Sequence, residues 1–138
     1  EPELPKARVF GATRWLSPTR ALVQLSLRYR TEDHFWFTFF HEAGHLLRHG
    51  KKEFFVEVGP SSLREEEEAD RFAAETLIPA RGLGSFLRTW RRDEASLRRF
   101  AGEQGIAPGI VVGRLQHEGA IPRSHLNGLR RRIVAATA

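Results

Sequence analysis

The sequence predicts an α+β fold. The expected architecture is a small antiparallel sheet of about three strands, packed with a central helix and a second, glutamate-bearing helix. A helical C-terminal segment follows. Two observations lead there. Strand-like runs lie at the start, ARVFGATRWL (7–16) and ALVQLSLRY (21–29), whereas helical patterns dominate from residue 31 onward. The second is FHEAGHLLRH (40–49), which places a glutamate and three histidines in a stretch otherwise suited to a buried helix.

Each element has a local reason. The second run alternates, with Leu22, Gln24, Ser26 and Arg28 against Val23, Leu25, Leu27 and Tyr29, and SPTR between the runs reads as a turn, so a β-hairpin over 1–30 is expected. Thr31 or Asp33 can cap a helix over 31–50 that closes at Gly50. Phe35, Trp36, Phe37, Phe39, Phe40, Leu46 and Leu47 surround that helix on most sides, which predicts a central position. KKEFFVEVG (51–59) offers a third strand ended by Gly59 and Pro60. Ser61 or Ser62 then caps a helix over 61–79, stopped before Pro79. From 80 to 138 the chain reads as helical in parts: ARGLGSFLRTW is looser, DEASLRRFAGEQG and APGIVVGRLQHEG are short helices, and RSHLNGLRRRI suggests a last one. The whole is read as a single domain, 1–138.

Composition narrows the function. With 138 residues, 41% apolar and 28% charged, the chain suits one folded domain and not wholesale disorder. The absence of cysteine removes disulfides, thiol nucleophiles and thiolate zinc sites, and fits a reducing, cytoplasmic setting. No run approaches a membrane span, and EPELPKARVF is no signal peptide, so no membrane partner is expected. A chain that starts at Glu1 and lacks methionine is expected to be a piece of a longer product. The net charge of +5 comes largely from arginines at 88, 91, 92, 98, 99 and 130–132. They form either a solvated helical face or a contact for nucleic acid or an acidic partner.

His41 and His45 are four residues apart, which on a helix puts both imidazoles on one face within reach of one ion. Glu42 follows the first histidine, where its carboxylate can take a proton from a water beside the metal. Nitrogen and carboxylate donors without thiolate suit Zn²⁺. Composition alone gives such a match roughly 3 times in 100, so the motif needs support. The support is its apolar helix, where two imidazoles and a carboxylate would be costly to bury unpartnered. Two ligands leave zinc incomplete. A third histidine ten residues after the first is excluded, since Lys51 stands there. A glutamate from EEEEADRFAAETLIP is the other source.

HEAGHLLRH followed by EEEADRFAAETLIP resembles the ImmA/IrrE family of zinc metallopeptidases, with its HExGHxxxH, its ExEA[ND]xFA and a leucine-containing segment ending in proline. GIAPGIVVGRLQHEGAI resembles the tail of members in which the peptidase domain follows an Xre-type helix-turn-helix. The resemblance runs from about Arg14 to Arg132. It implies His41, His45 and Glu66 as zinc ligands, Glu42 as general base and Asp70 orienting one histidine. It further implies a protein substrate such as a transcriptional repressor, in a stress-response or mobile-element system, and an N-terminal DNA-binding domain absent from this chain. Helical geometry can test the choice among the four glutamates. At ~100° per residue from Leu63, the apolar side centres near ~310°, with Glu66 at ~300° and Asp70 at ~340°. Glu68 is expected in solvent among Arg64, Arg71 and Glu75.

A group that stabilises the oxyanion is still needed. Tyr29 and His49 are the candidates, with His117 and His125 behind them. His49 reads equally as a helix-end residue at the negative pole of the helix dipole. His34 reads as a first-turn surface residue. A competing function rests on Ala101, Gly105 and Val111, which fall at helix-turn-helix spacing, so that a regulatory or antitoxin-like module with structural or sensory zinc could contact DNA. The would-be reading face, Ala107, Pro108, Gly109, Val112, Gly113 and Gln116, offers one base-reading donor, Gln116, so direct nucleic-acid contact is not expected.

Overall fold

The computed structural model describes residues 11–27, 30–49 and 63–133. The expected third strand at 51–59, Tyr29, Gly50 and the capping serines 61 and 62 lie outside the described residues. The fold is α+β, with five α-helices and a two-stranded antiparallel sheet among the described residues. The chain divides into two compact units, Glu1–Ser26 with Trp36–Ala74 and Leu27–Phe35 with Glu75–Ala138.

In the first unit, β1 (Gly11–Ser17) and β2 (Arg20–Leu25) form the hairpin. Gly11 pairs with Leu25 and Trp15 with Ala21, and a register shift between Trp15 and Ser17 precedes the turn at Pro18 and Thr19. β1 alternates as a half-buried strand should, with Ala12, Arg14 and Leu16 outward. The clean alternation expected of β2 is not seen, since residues 22–27 are all half-buried. α1 (Glu32–Arg48) carries acidic residues in its first turn and basic ones in its last, matching the helix dipole. It is less central than its apolar content predicts: Leu47 is 73% exposed and Trp36 39%. Within this unit its best-covered positions are Glu42 and Gly44. α2 (Leu63–Leu77) lies against it at that glycine, where an added Cβ would meet Phe72 Cδ1 at 3.0 Å and the Ala69 backbone at 3.3 Å.

The second unit holds α3 (Ala80–Thr89), α4 (Glu94–Gln104), α5 (Pro108–His117) and a 3-10 turn, Asn127–Leu129. Ile78, Leu97, Val111, Val112 and Leu115 are its largest fully buried side chains. The stretch read as loose is the regular helix α3. Gly82 and Gly84 lower its intrinsic propensity, but Leu83 is buried and Phe86 stacks on Phe100 at 4.3 Å, so packing outweighs propensity. Asp93 caps α4 by accepting from the Ser96 amide, and Gly105, at φ +72°, ends it. The last helix expected at 123–133 is absent. Leu126 takes a left-handed φ of 60°, and Asn127 is held by Gln116 and Arg130 in place of helical bonds.

This unit also revises two readings of charge. Arg130, one of the arginines assigned to a solvated face or an acidic partner, turns inward: its guanidinium donates to Asp33 at 3.1 and 3.0 Å, and to Gln116, Asn127 and Thr31. Asp33 is therefore no helix cap; Thr31 takes that place, its carbonyl receiving the Phe35 amide. The presumed reading face of α5 is largely covered. Gly109, Val112 and Gln116 are buried, and the Gln116 amide is spent on His125 O and Asn127 Oδ1.

Candidate metal centre

The site lies in the first unit, between α1 and α2. The α-helical rise stacks His41 and His45 on one face, ring centroids 4.8 Å apart. Their Nε2 atoms face each other at 3.2 Å. Glu66, from the first turn of α2, closes a triangle: its Oε2 is 3.0 Å from His41 Nε2 and its Oε1 3.0 Å from His45 Nε2. Among the described residues these three alone form a group able to hold a metal ion, with donor atoms within 4.8 Å of one another.

The donor set fits a cation. Tetrahedral zinc with bonds near 2.0–2.2 Å needs donors about 3.3–3.6 Å apart, a little wider than the 3.0–3.2 Å spacing here. Two unprotonated Nε2 atoms at 3.2 Å repel unless a proton or a cation lies between them. The outer nitrogens indicate which. His41 Nδ1 is 2.7 Å from Asp70 Oδ1, and a carboxylate there requires the proton on Nδ1, leaving Nε2 bare. Burial lowers the His45 pKa against the opposing pull of Glu66, and His41 and His49 lower it further, which favours the neutral ring that can ligate.

Glu42 is buried, only 7% exposed, on the α1 face that meets β1. Gly11 permits this approach: a Cβ there would sit 2.7 Å from Thr38 Cγ2 and 3.2 Å from Glu42 Oε1. Burial raises the Glu42 pKa; His41 opposes the shift and Glu66 adds to it. A carboxylate displaced toward neutrality is a better proton acceptor, as a general base requires.

His49 does not stand free at a helix end. Its Nδ1 is 2.9 Å from His45 Nδ1 and its Nε2 2.9 Å from Glu68 Oε2. Both ring nitrogens are engaged, which leaves no N–H for an oxyanion. Glu68 does bond Arg64, as expected, but its second oxygen faces His49 and not solvent. The hydrogen bond from His49 holds Glu68 below the usual carboxylate range, with help from Arg64. Sequence reading missed this residue, although its signal was present as the second glutamate of the ExEA pattern. His117 and His125 belong to the second unit and are exposed. His34 is exposed, as its reading as a first-turn surface residue expects, and it accepts from Arg130 Nη2 at 2.9 Å.

The family model of the IrrE N-terminal-like domain, Peptidase M78, matches residues 13–115. The chain belongs to this family. The matched span of this Peptidase M78 domain contains His41, Glu42, His45, His49, Glu66, Glu68 and Asp70. No curated protein and no solved structure matches the chain. No helix among the described residues is long and apolar enough to cross a membrane.

Proposed function

We propose that this domain is a zinc-dependent endopeptidase of the gluzincin type, with His41, His45 and Glu66 holding the ion and a specific protein as substrate. The observation that carries this proposal is the closed triangle of two Nε2 atoms and one carboxylate, with a buried glutamate next in sequence to the first histidine. Membership of a peptidase family supports it.

Bound zinc supplies Lewis acidity, polarising the scissile carbonyl and making a nearby water acidic. The chain's own groups do the rest. Glu42 Oε accepts the proton of the attacking water and returns it to the leaving amine. Burial raises its pKa, which makes it a better acceptor of that proton. Asp70 keeps the His41 proton on Nδ1. A substrate drawn from transcriptional repressors, in a stress-response or mobile-element setting in the cytoplasm, accords with the sequence resemblance to ImmA/IrrE peptidases.

The test is co-expression with repressors encoded nearby, followed by mass spectrometry of fragments, beside elemental analysis of the purified domain. One zinc per chain and a defined cleavage are expected. Glu42→Gln should retain zinc and lose cleavage by a factor of at least ~100. Cleavage undiminished in that variant removes Glu42 from its role, and a wild-type domain that takes up no zinc overturns the proposal.

A further inference from the structure

We propose that Glu68 and His49 form a positioning relay that fixes the tautomer and rotation of the His45 ring for metal binding. The inference rests on zinc being held by His41, His45 and Glu66.

The geometry permits few proton arrangements. One proton lies between His45 Nδ1 and His49 Nδ1, 2.9 Å apart. At the far end of the same ring, His49 Nε2 lies 2.9 Å from Glu68 Oε2. A bare Nε2 against a carboxylate oxygen at that distance would repel, so His49 carries its proton on Nε2 and donates it to Glu68. A neutral His49 then has a lone pair on Nδ1 and must accept from His45 Nδ1–H. That puts the bare nitrogen of His45 at Nε2, the atom facing His41 and Glu66. The opposite assignment, with His49 doubly protonated, would place a proton on His45 Nε2, where it blocks a metal.

The two histidine ligands are thereby held alike by different means. Asp70 does it directly for His41 at 2.7 Å, whereas Glu68 does it for His45 through one intervening imidazole. The intermediary follows from helix geometry. His49 stands one turn beyond His45 on α1, and Glu68 lies on the other flank of α2 from Asp70, so a carboxylate acting alone on His45 is replaced by a carboxylate and a ring. Glu68 is also paired with Arg64 through its other oxygen, which limits its rotation.

Two measurements decide the matter. In the zinc-loaded chain with ¹⁵N-labelled histidine, NMR should show a proton on His45 Nδ1, a scalar coupling across the hydrogen bond to His49 Nδ1, and a proton on His49 Nε2. A proton on His49 Nδ1, or no coupling between the rings, overturns the relay. Zinc affinity is then measured by competition with a chromophoric chelator. His49→Phe should weaken binding ~10–100-fold and Glu68→Ala about tenfold. His49→Gln, whose amide oxygen can accept from His45 Nδ1–H, should recover most of the loss, and Glu67→Gln at an exposed position should bind like wild type. Equal affinity in His49→Phe and wild type overturns the relay while leaving the metal site intact, whereas a wild type that binds no zinc overturns the metal site itself. Should His49→Phe fail to fold, the NMR measurement on the wild-type chain still decides.

Discussion

Glu66 and its neighbours illustrate how much one side chain can decide. Four consecutive glutamates are chemically equal in the sequence, and each favours the positive start of a helix. Only Glu66 has both oxygens within 3.0 Å of the two histidine Nε2 atoms. Its side chain is 44% exposed, so it is not the deeply buried carboxylate that an apolar helix face suggested. Glu66→Gln is therefore expected to fold normally and lose zinc affinity by ~100-fold or more, read by isothermal titration, because an amide is a poor substitute for an anionic ligand. Comparable loss in Glu67→Gln would show that α2 presents a different glutamate to the site.

At the scale of elements, the helix pair depends on a glycine that has no role in chemistry. The apolar face of α2 read from the pattern, centred near ~310°, includes Ala69 and Ala73, which are fully buried; α1 meets its edge, since the residue that faces Gly44 is Ala69, at ~240° on the same wheel. That contact brings Glu68, at ~140°, within reach of α1, while Glu66 and Asp70 flank the other side. Leu63, which the wheel counted as apolar face, is 79% exposed. Gly44 makes the approach possible, because any side chain there meets the Ala69 backbone and the Phe72 ring. Gly44→Val should cost about 1–3 kcal/mol of stability through overpacking. By moving α2 outward it should also lower zinc affinity at least ~10-fold, a coupling that calorimetry and metal titration on one sample can test. A variant that is destabilised but binds zinc like wild type would show that Glu66 tolerates the shift.

For the molecule as a whole, the second unit is tied together by charge as well as by its apolar core. Thr31, Asp33 and His34 at the start of α1 meet Arg130, almost a hundred residues later, and Gly113 leaves room for Asp33 where a Cβ would collide with its carboxylate. Asp33 is 8% exposed, so removing its partner leaves a buried charge. Arg130→Ala should cost about 3 kcal/mol in urea unfolding. The same network makes stability depend on pH. Burial lowers the His34 pKa from near 6.5, with Asp33 opposing and the arginines at 130, 30 and 123 assisting. A depressed histidine pKa means that the unfolded chain binds the proton more readily. Stability is complete above about pH 6.5 and falls as the pH drops below it. Unfolding at pH 7.5 and 5.5 should show a larger loss for wild type than for His34→Gln, whose amide oxygen accepts from Arg130 at both pH values; equal losses would remove His34 from this role.

The HExxH pair was legible in the sequence because its chemistry is local: four residues span one helical turn, so His41 and His45 share a face whatever surrounds them. Asp93 and Gly105 likewise mark the ends of α4 through bonds within a few residues. Only the tertiary structure decided which residues distant in the chain meet, for the same reason reversed. The rotation of α2 is set by where a glycine and an alanine can touch, the partner of His49 lies 19 residues away, and Arg130 finds Asp33 across 97. α3 exists because Phe86 can stack on a ring of α4, not because its glycines favour a helix. Periodicity reports which side of a segment is apolar, but the angle at which that side meets another segment is fixed by close packing between residues distant in the chain.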